Sequence, residues 1–386
     1  MSNTIAMEQT NKLVPELRFP EFVNDGEWEI KEVGDIFEIT RGYVLSMNMV
    51  QNNQNTENPY PVYSSQTKNH GLAGYYSSYL YENAITWTTD GANAGDVNYR
   101  EGKFYCTNVC GVLISKEGFA NNCISEIINS VSKSYVSYVG NPKLMNGVMS
   151  KIKIPVPKIN EQQKIADCLS SLDELITAHT DKLEALKNHK KGLLQNLFPQ
   201  EGQKVPHYRF PEFLNDEEWE EKKLGNVCIN IASGKDKNVI NGIYNLFGST
   251  GIIGKTNNPS YEGDYILVAR VGANAGFLNR VNSKFGVSDN TLVILLDINQ
   301  SIDFIYYHLE NFGLNKLIFG SGQPLITGGQ LKSIELRFPK NTKEQQKIAE
   351  CLMEMDNLIT AQTEKIEQLK THKKGLMQGL FPNVKN

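Results

Sequence analysis

The feature that most constrains this chain is that it is written twice. Residues 161–199 return at 344–382 with 27 of 39 positions identical, an offset of 183. Residues 18–36, R-F-P-E-F-V-N-D-G-E-W-E-I-K-E-V-G-D-I, return at 209–227 as R-F-P-E-F-L-N-D-E-E-W-E-E-K-K-L-G-N-V, an offset of 191. Between these blocks the copies share little beyond G-A-N-A-G, at 91–95 and 272–276, and a Lys-Phe pair at 103–104 and 284–285. The order is therefore divergent lobe, constant block, divergent lobe, constant block. Duplicated segments stay alike where both copies face the same demand and drift where demands differ. The constant blocks are thus expected to meet one kind of partner and the lobes different ones, although relaxed drift of two structural copies accounts for the same distribution. At 386 residues there is room for two lobes plus connecting structure. The boundaries read as a first lobe over 1–158, a first spacer helix over 159–199, a second lobe over 200–340 and a second spacer helix over 341–386.

The constant blocks carry heptad spacing. Apolar residues fall at Ile165, Leu169, Leu172, Ile176, Leu183, Leu186, Leu193 and Leu197, and again at Ile348, Leu352, Met355, Ile359, Ile366, Leu369, Leu376 and Leu380. Steps of four and three give a narrow stripe for helix-on-helix packing, with polar gaps at His179, Lys190, Gln362 and Lys373. Each helix follows a proline-ended strand and stops at Leu-Phe-Pro, where proline cannot continue it. About 37 residues at 1.5 Å rise make a rod of roughly 55 Å. Neither helix is expected to stand alone, so the two pair. An antiparallel pair places one lobe at each end about a two-fold axis, whereas a parallel pair crowds both lobes together, so antiparallel packing is expected. His179 and Gln362 then fall in neighbouring layers, either selecting register or tolerating exposure. Lys190-Lys191 and Lys373-Lys374 read as helix-end lysines that complement the dipole and stay solvated, with phosphate contact as the rival reading.

Composition narrows the class. Hydrophobic content of 40% and charged content of 21% are those of a folded chain. Cys106, Cys110, Cys123, Cys168, Cys228 and Cys351 form no C-x-x-C pair and read as reduced, mostly buried thiols. No signal-like N-terminus and no 18-residue apolar run is present, so a cytoplasmic location away from membranes is expected. Net charge is −4, yet residues 39–158 carry 10 Lys/Arg against 7 Asp/Glu and residues 228–340 carry 10 against 8. Charge permits duplex binding without demonstrating it.

Each lobe alternates β-branched and aromatic runs with Gly, Asn and Ser-rich turns, over 84–88, 109–115 and 151–155 in the first and over 265–270, 291–296 and 333–337 in the second. An α+β class follows: two mixed lobes in pseudo-two-fold arrangement, separated by the antiparallel coiled coil. The loops offer amides, hydroxyls and basic groups suited to base edges and phosphates. Candidate DNA contacts in the first lobe are Arg41, Ser64, Ser65, Gln66, Lys68, Asn69, His70 and Lys143. In the second they are Lys235, Lys237, Ser249, Thr250, Lys255, Asn257, Arg270 and Gln323. Any one such segment is also what an ordinary solvated turn looks like. Phosphate-loop, nucleophile-elbow and metalloprotease motifs are all missing, Asn141-Pro142 lacks the aromatic of an amino-methyltransferase motif, and the G-A-N-A-G segments read as tight turns between strands.

With these residues assembled, the chain resembles the specificity subunits of Type I restriction-modification enzymes over nearly its whole length. The marks are the E-Q-Q-K-I-A openings at 161–166 and 344–349, R-F-P-E-F with Trp28 and Trp219, the tract Phe247 to Gly254, and the K-K-G-L helix ends. The first lobe departs from the pattern, offering Ser64-Ser65-Gln66 and Gly71-Leu72-Ala73-Gly74 in place of Gly-Ser-Thr-Gly-Ile-Ile-Gly. The resemblance implies lobes that each bind half of a split asymmetric double-stranded DNA target, and helices that dock two methyltransferase subunits. It further implies that S-adenosylmethionine and adenine methylation belong to those subunits, that ATP-driven cleavage belongs to restriction subunits, and that this chain is non-catalytic with no cofactor of its own. The alternative from another class is a coiled-coil scaffold whose lobes bind proteins.

Overall fold

The computed structural model describes residues 13–65, 68–318 and 324–382, with Lys68 and Asn69 described by backbone alone. The chain forms two compact units, Met1–His179 with Lys365–Asn386, and Thr180–Glu364. Each unit joins one lobe to parts of both spacer helices, Ile159–Leu197 and Thr342–Leu380.

In the first unit the strands are β1 (Glu29–Glu32), β2 (Glu38–Arg41), β3 (Tyr60–Tyr63), β4 (Leu72–Tyr76), β5 (Tyr81–Thr88), β6 (Val97–Cys106), β7 (Cys110–Ile114) and β8 (Lys153–Val156). The second unit repeats them as β9 (Glu220–Lys223), β10 (Cys228–Ser233), β11 (Tyr244–Gly248), β12 (Gly251–Thr256), β13 (Tyr261–Ala269), β14 (Leu278–Val287), β15 (Thr291–Leu296) and β16 (Glu335–Phe338). Both lobes build a six-stranded sheet in the same order, β2-β7-β5-β6-β3-β4 and β10-β15-β13-β14-β11-β12. All pairings are antiparallel except β3 with β6 and β11 with β14. β1 with β8, and β9 with β16, form separate antiparallel pairs. The lobes thus share one α+β fold although their sequences have drifted.

One helix packs on each sheet. In the first lobe it is Asn122–Ser132, capped by the Asn121 side chain accepting from the Ile124 amide; in the second it is Ile302–Phe312, capped by Ser301 accepting from the Phe304 amide. Ile124, Ile127 and Ile128 meet Ile85, Trp87 and Leu113 in the core between helix and sheet. A smaller cluster fills the other face, with Ala84, Phe104, Cys106 and Val112 in the first lobe and Leu267, Val281, Phe285 and Val293 in the second.

The spacer helices enter these cores. In the first unit Ile165 and Leu169 share a cluster with Leu376 and Leu380; in the second, Leu194 and Leu197 share one with Ile348 and Leu352. In both units the start of one helix lies against the end of the other, so the pair is antiparallel. Of the expected seam, Ile165, Leu169, Ile348, Leu352, Met355, Ile366 and Leu369 are buried, and Leu172, Ile176, Leu183, Leu186 and Ile359 are half-buried. A two-helix seam is covered from one side only, which leaves its edges open.

One expectation is corrected. Lys190 and Lys373 are not solvated: their side chains are 12% and 16% exposed and sit among carboxylates. β8 ends at Val156 and the helix begins at Ile159. Gln162 Nε2 donates to the Pro157 carbonyl at 2.8 Å, and Gln345 Nε2 to that of Pro339 at 3.2 Å, so strand and helix are tied with little slack.

The repeated motifs are explained by one another. Arg18 of the first R-F-P-E-F donates from Nε and Nη2 to both Glu161 carboxylate oxygens at 2.7 Å, and Arg209 of the second does the same to Glu344 at 2.8 Å. These side chains are no more than 8% exposed. The hydrogen-bonded carboxylate raises each guanidinium above its ordinary value against the pull of desolvation. Each lobe opening also ties to a helix end: the Leu17 amide donates to the Gly379 carbonyl and the Tyr208 amide to that of Asn196, both at 2.8 Å. All six cysteines are free, with Cys106, Cys110 and Cys123 buried and the other three half-buried.

Candidate nucleic-acid interface

Each sheet curls until strand ends meet at a single turn. In the first lobe the turn at 107–109 is held by Thr107 N–H donating to the Tyr63 carbonyl at 2.9 Å, Tyr43 N–H to Cys106 at 3.2 Å and Thr89 N–H to Val109 at 2.9 Å. The second lobe closes the same way, through Ser288 N–H to Phe247, Asp236 N–H to Val287 and Arg270 N–H to Asn290, each at 2.9 Å. This backbone frame is what gathers candidate contacts from strands far apart in sequence.

In the first lobe it brings together Arg41, Ser64, Ser65 and His70. Arg41 Nη2 donates to the Asn108 carbonyl at 3.1 Å, and Thr107 Oγ1 donates to Ser64 Oγ at 2.9 Å. Asn93, from G-A-N-A-G, donates to the Ser65 carbonyl at 2.6 Å. The glycines serve the turn itself, Gly91 and Gly95 having φ of 93° and 89°. Lys143 stands beside it, bridged to Asp90 and 3.8 Å from its carboxylate. Gln66 lies outside the described residues, as do the side chains of Lys68 and Asn69.

In the second lobe Lys235, Ser249 and Arg270 border the closure turn, where Ser249 Oγ donates to the Asn290 carbonyl at 2.7 Å. Thr250 is exposed at the hairpin between β11 and β12. Lys237, Lys255 and Asn257 form a separate group along β12: Asn238 Oδ1 accepts from the Lys255 amide at 3.0 Å, Lys255 Nζ donates to Asn245 Oδ1 at 2.7 Å, and Asn257 Oδ1 accepts from the Ile243 amide at 3.3 Å. Gln323 lies outside the described residues. Among the described residues, Arg270 Nε, Ser288 Oγ and Thr291 Oγ1 are buried beside the closure turn with no hydrogen-bond partner. Such atoms cost about 1–3 kcal/mol each until something satisfies them.

Sequence reasoning missed Arg100. It is 7% exposed, stacks 3.7 Å from the Tyr63 ring centroid, and donates to Thr86 Oγ1 at 3.0 Å and the His70 carbonyl at 2.7 Å. Burial pulls its guanidinium below the ordinary value, and no carboxylate pairs with it among the described residues. With Ser64, Thr88, Asp96 and Asn98 it lines a cavity of about 220 Å³. The available signal was phase, since Arg100 alternates in step with inward-facing Phe104 and Cys106. Among the described residues no His/Cys/Asp/Glu group could hold a metal, and no helix is long and apolar enough to cross a membrane.

The profile of the Type I restriction modification DNA specificity domain matches residues 25–188 and 216–371, one match per copy. The Type I restriction enzyme MjaVIII specificity subunit of Methanocaldococcus jannaschii is 27% identical over 417 aligned residues, covering 97% of this chain and 95% of that protein. The Type I restriction enzyme MpnII specificity subunit of Mycoplasma pneumoniae is 36% identical over 151 residues, 38% of this chain and 44% of that one. The crystal structure of a Type I restriction-modification S subunit from M. genitalium superposes with a TM-score of 0.70 at 17% identity, over 96% of this chain and all of that one. A chain from a structure describing complex assembly and conformational transition of the Type I system gives 0.54 at 15% identity, over 92% and 98%. Two matches of the domain profile, the full-length relative and the doubled fold place this chain in the family of Type I restriction-modification DNA specificity subunits.

Proposed function

We propose that each lobe binds one half of a bipartite, asymmetric double-stranded DNA target, and that the spacer helices dock two methyltransferase subunits. The chain itself is non-catalytic and cytoplasmic, and it directs adenine methylation by those subunits and cleavage by restriction subunits. The observation that carries the reading is the contrast between one fold, used twice, and two dissimilar closure-turn surfaces built on it. Unsatisfied Arg270 Nε, Ser288 Oγ and Thr291 Oγ1 suit a partner rich in hydrogen-bonding groups, as a base edge or phosphate is.

Docking of two identical partners is supported by residues that repeat outside the seam. Leu175 and Leu358 are equivalent, identical, and 43% and 52% exposed. Ala178 with Ala361, one turn on, and Lys182 with Lys365, two turns on, repeat as well and are also exposed. Seam packing does not require these identities; a shared partner does.

Exchanging residues 228–335 for another lobe tests the reading. Sequencing of methylated DNA from cells holding the chimera and a cognate methyltransferase is expected to show one changed half-site and one unchanged; a change in both defeats it. The scaffold alternative is separated by salt, because DNA affinity falls linearly in log K against log salt in proportion to the phosphates neutralised.

A further inference from the structure

The two lysines that interrupt the heptad seam do the same thing in both units. In the second, Lys190 of the first spacer helix reaches Glu310 Oε1 and Oε2 at 2.9 and 3.0 Å and Asp356 Oδ1 of the second spacer helix at 2.8 Å. In the first, Lys373 of the second spacer helix reaches Glu126 Oε1 at 3.0 Å and Asp173 Oδ1 of the first spacer helix at 2.8 Å. Each ammonium therefore ties three elements: its own helix, the opposing helix and the lobe helix.

The lysines and aspartates are equivalent, 183 residues apart, and belong to the constant blocks. The lobe carboxylates are not equivalent. Glu126 lies five residues after the Asn121 cap, whereas Glu310 lies nine after the Ser301 cap, one helical turn further on. The position matching Glu126 in the second lobe is Tyr306, and the position matching Glu310 in the first is Ser130. A common ancestor alone does not place an acid at two different positions and leave both on the same lysine. The second lobe adds Tyr307, whose hydroxyl donates to Asp356 Oδ2 at 2.7 Å, where the first lobe has Ile127. The clamp has been kept while its lobe half was rebuilt.

Stability alone does not explain the retention. A half-buried ammonium stripped of its carboxylates is costly, while a lysine replaced by a packed apolar group costs little, so stability alone is weak grounds for keeping such a cluster. Orientation is better grounds: three charged groups from three elements meet only at one angle of lobe on helix pair.

We propose that Lys190 and Lys373 are positioning residues that lock each reading lobe onto the spacer helices, and that any lobe working on this rod must bring its own carboxylate to that lysine. This rests on the DNA-reading function proposed above. A locked joint fixes where each lobe meets the duplex, and hence the unread spacing between half-sites.

The test uses the whole chain with its methyltransferase subunits in cells, reading methylated sites by single-molecule sequencing, for wild type, Lys190→Met and Lys373→Met. Wild type is expected to mark one bipartite target at one spacing. Each variant is expected to mark it about tenfold less, equivalent to about 1.4 kcal/mol, and to spread onto sites one base pair shorter or longer, with both half-sequences unchanged. Variants that keep wild-type yield and spacing overturn the clamp and leave the DNA reading standing. A wild type that marks no bipartite site overturns the DNA reading, and the clamp is then judged on the chain itself by a double-mutant cycle of Lys373→Met with Glu126→Gln. Coupling in thermal unfolding, with faster amide exchange in the Asn122–Ser132 helix, supports the joint; additivity with unchanged exchange rejects it.

Discussion

Arg100 in the first lobe and Val281 in the second occupy the same rung of equivalent ladders, three pairs in from Trp87–Val97 and from Val268–Leu278. Around them Thr86 and Thr88 of the first lobe correspond to Leu267 and Ala269 of the second, and Asp96 corresponds to Phe277. On the other face of the sheet the contrast reverses: His308 stands seven residues after the cap of its helix, where the first lobe has Ile128. His308 stacks on Phe198 with ring centroids 4.6 Å apart, and its Nδ1 is buried without a partner. Strand order and closure turn survive such exchanges because backbone hydrogen bonds make them, and backbone groups are the same in every sequence. Side chains beneath and around the turn are then free to differ. That division of labour is what the proposed reading of two different half-sites requires.

The comparison can be broken at its shared part first. Arg18→Ala and Arg209→Ala each leave a buried glutamate unpaired and are expected to cost about 3–5 kcal/mol, by equal amounts in denaturant unfolding; a clear inequality would show that the two joints are not equivalent. The next effect belongs to the second lobe alone. Burial lowers His308 from 6.5 to about 3. Its folded value lies below its unfolded one, so the unfolded chain binds the proton first, and stability present above pH 6.5 is lost as pH falls toward 3. The slope from this one group is about 1.4 kcal/mol per pH unit. His308→Ile, which copies the first lobe, is expected to flatten that part of the acid limb in pH-dependent melting, whereas Ile128→Val is expected to leave its slope alone. The smallest effect on stability is expected at Arg100→Met, about 1 kcal/mol or less in either direction, because a desolvated guanidinium is given up along with its hydrogen bonds. Methylation mapping should nonetheless show altered preference in the first half-site and an untouched second.

Duplication, the helix pair and its stopping points could be read directly, because heptad period and proline are local signals: the spacer helices end at Leu197 and Leu380, each just before Phe-Pro. Strand positions were legible to within a few residues for the same reason, as with 291–296, found at Thr291–Leu296. Arg41, Ser64 and His70 could be nominated as polar loop groups, but that they share one closure turn could not be, since the bonds joining them run between strands distant in sequence. Arg18 and Glu161 stand 143 residues apart, and Glu126 and Lys373 stand 247 apart. Local pattern determined the elements and how many times they occur. Only tertiary structure decided which charges meet: seam lysines that look like solvated helix ends became clamps because a carboxylate from the opposing helix and another from the lobe arrive at the same point in space.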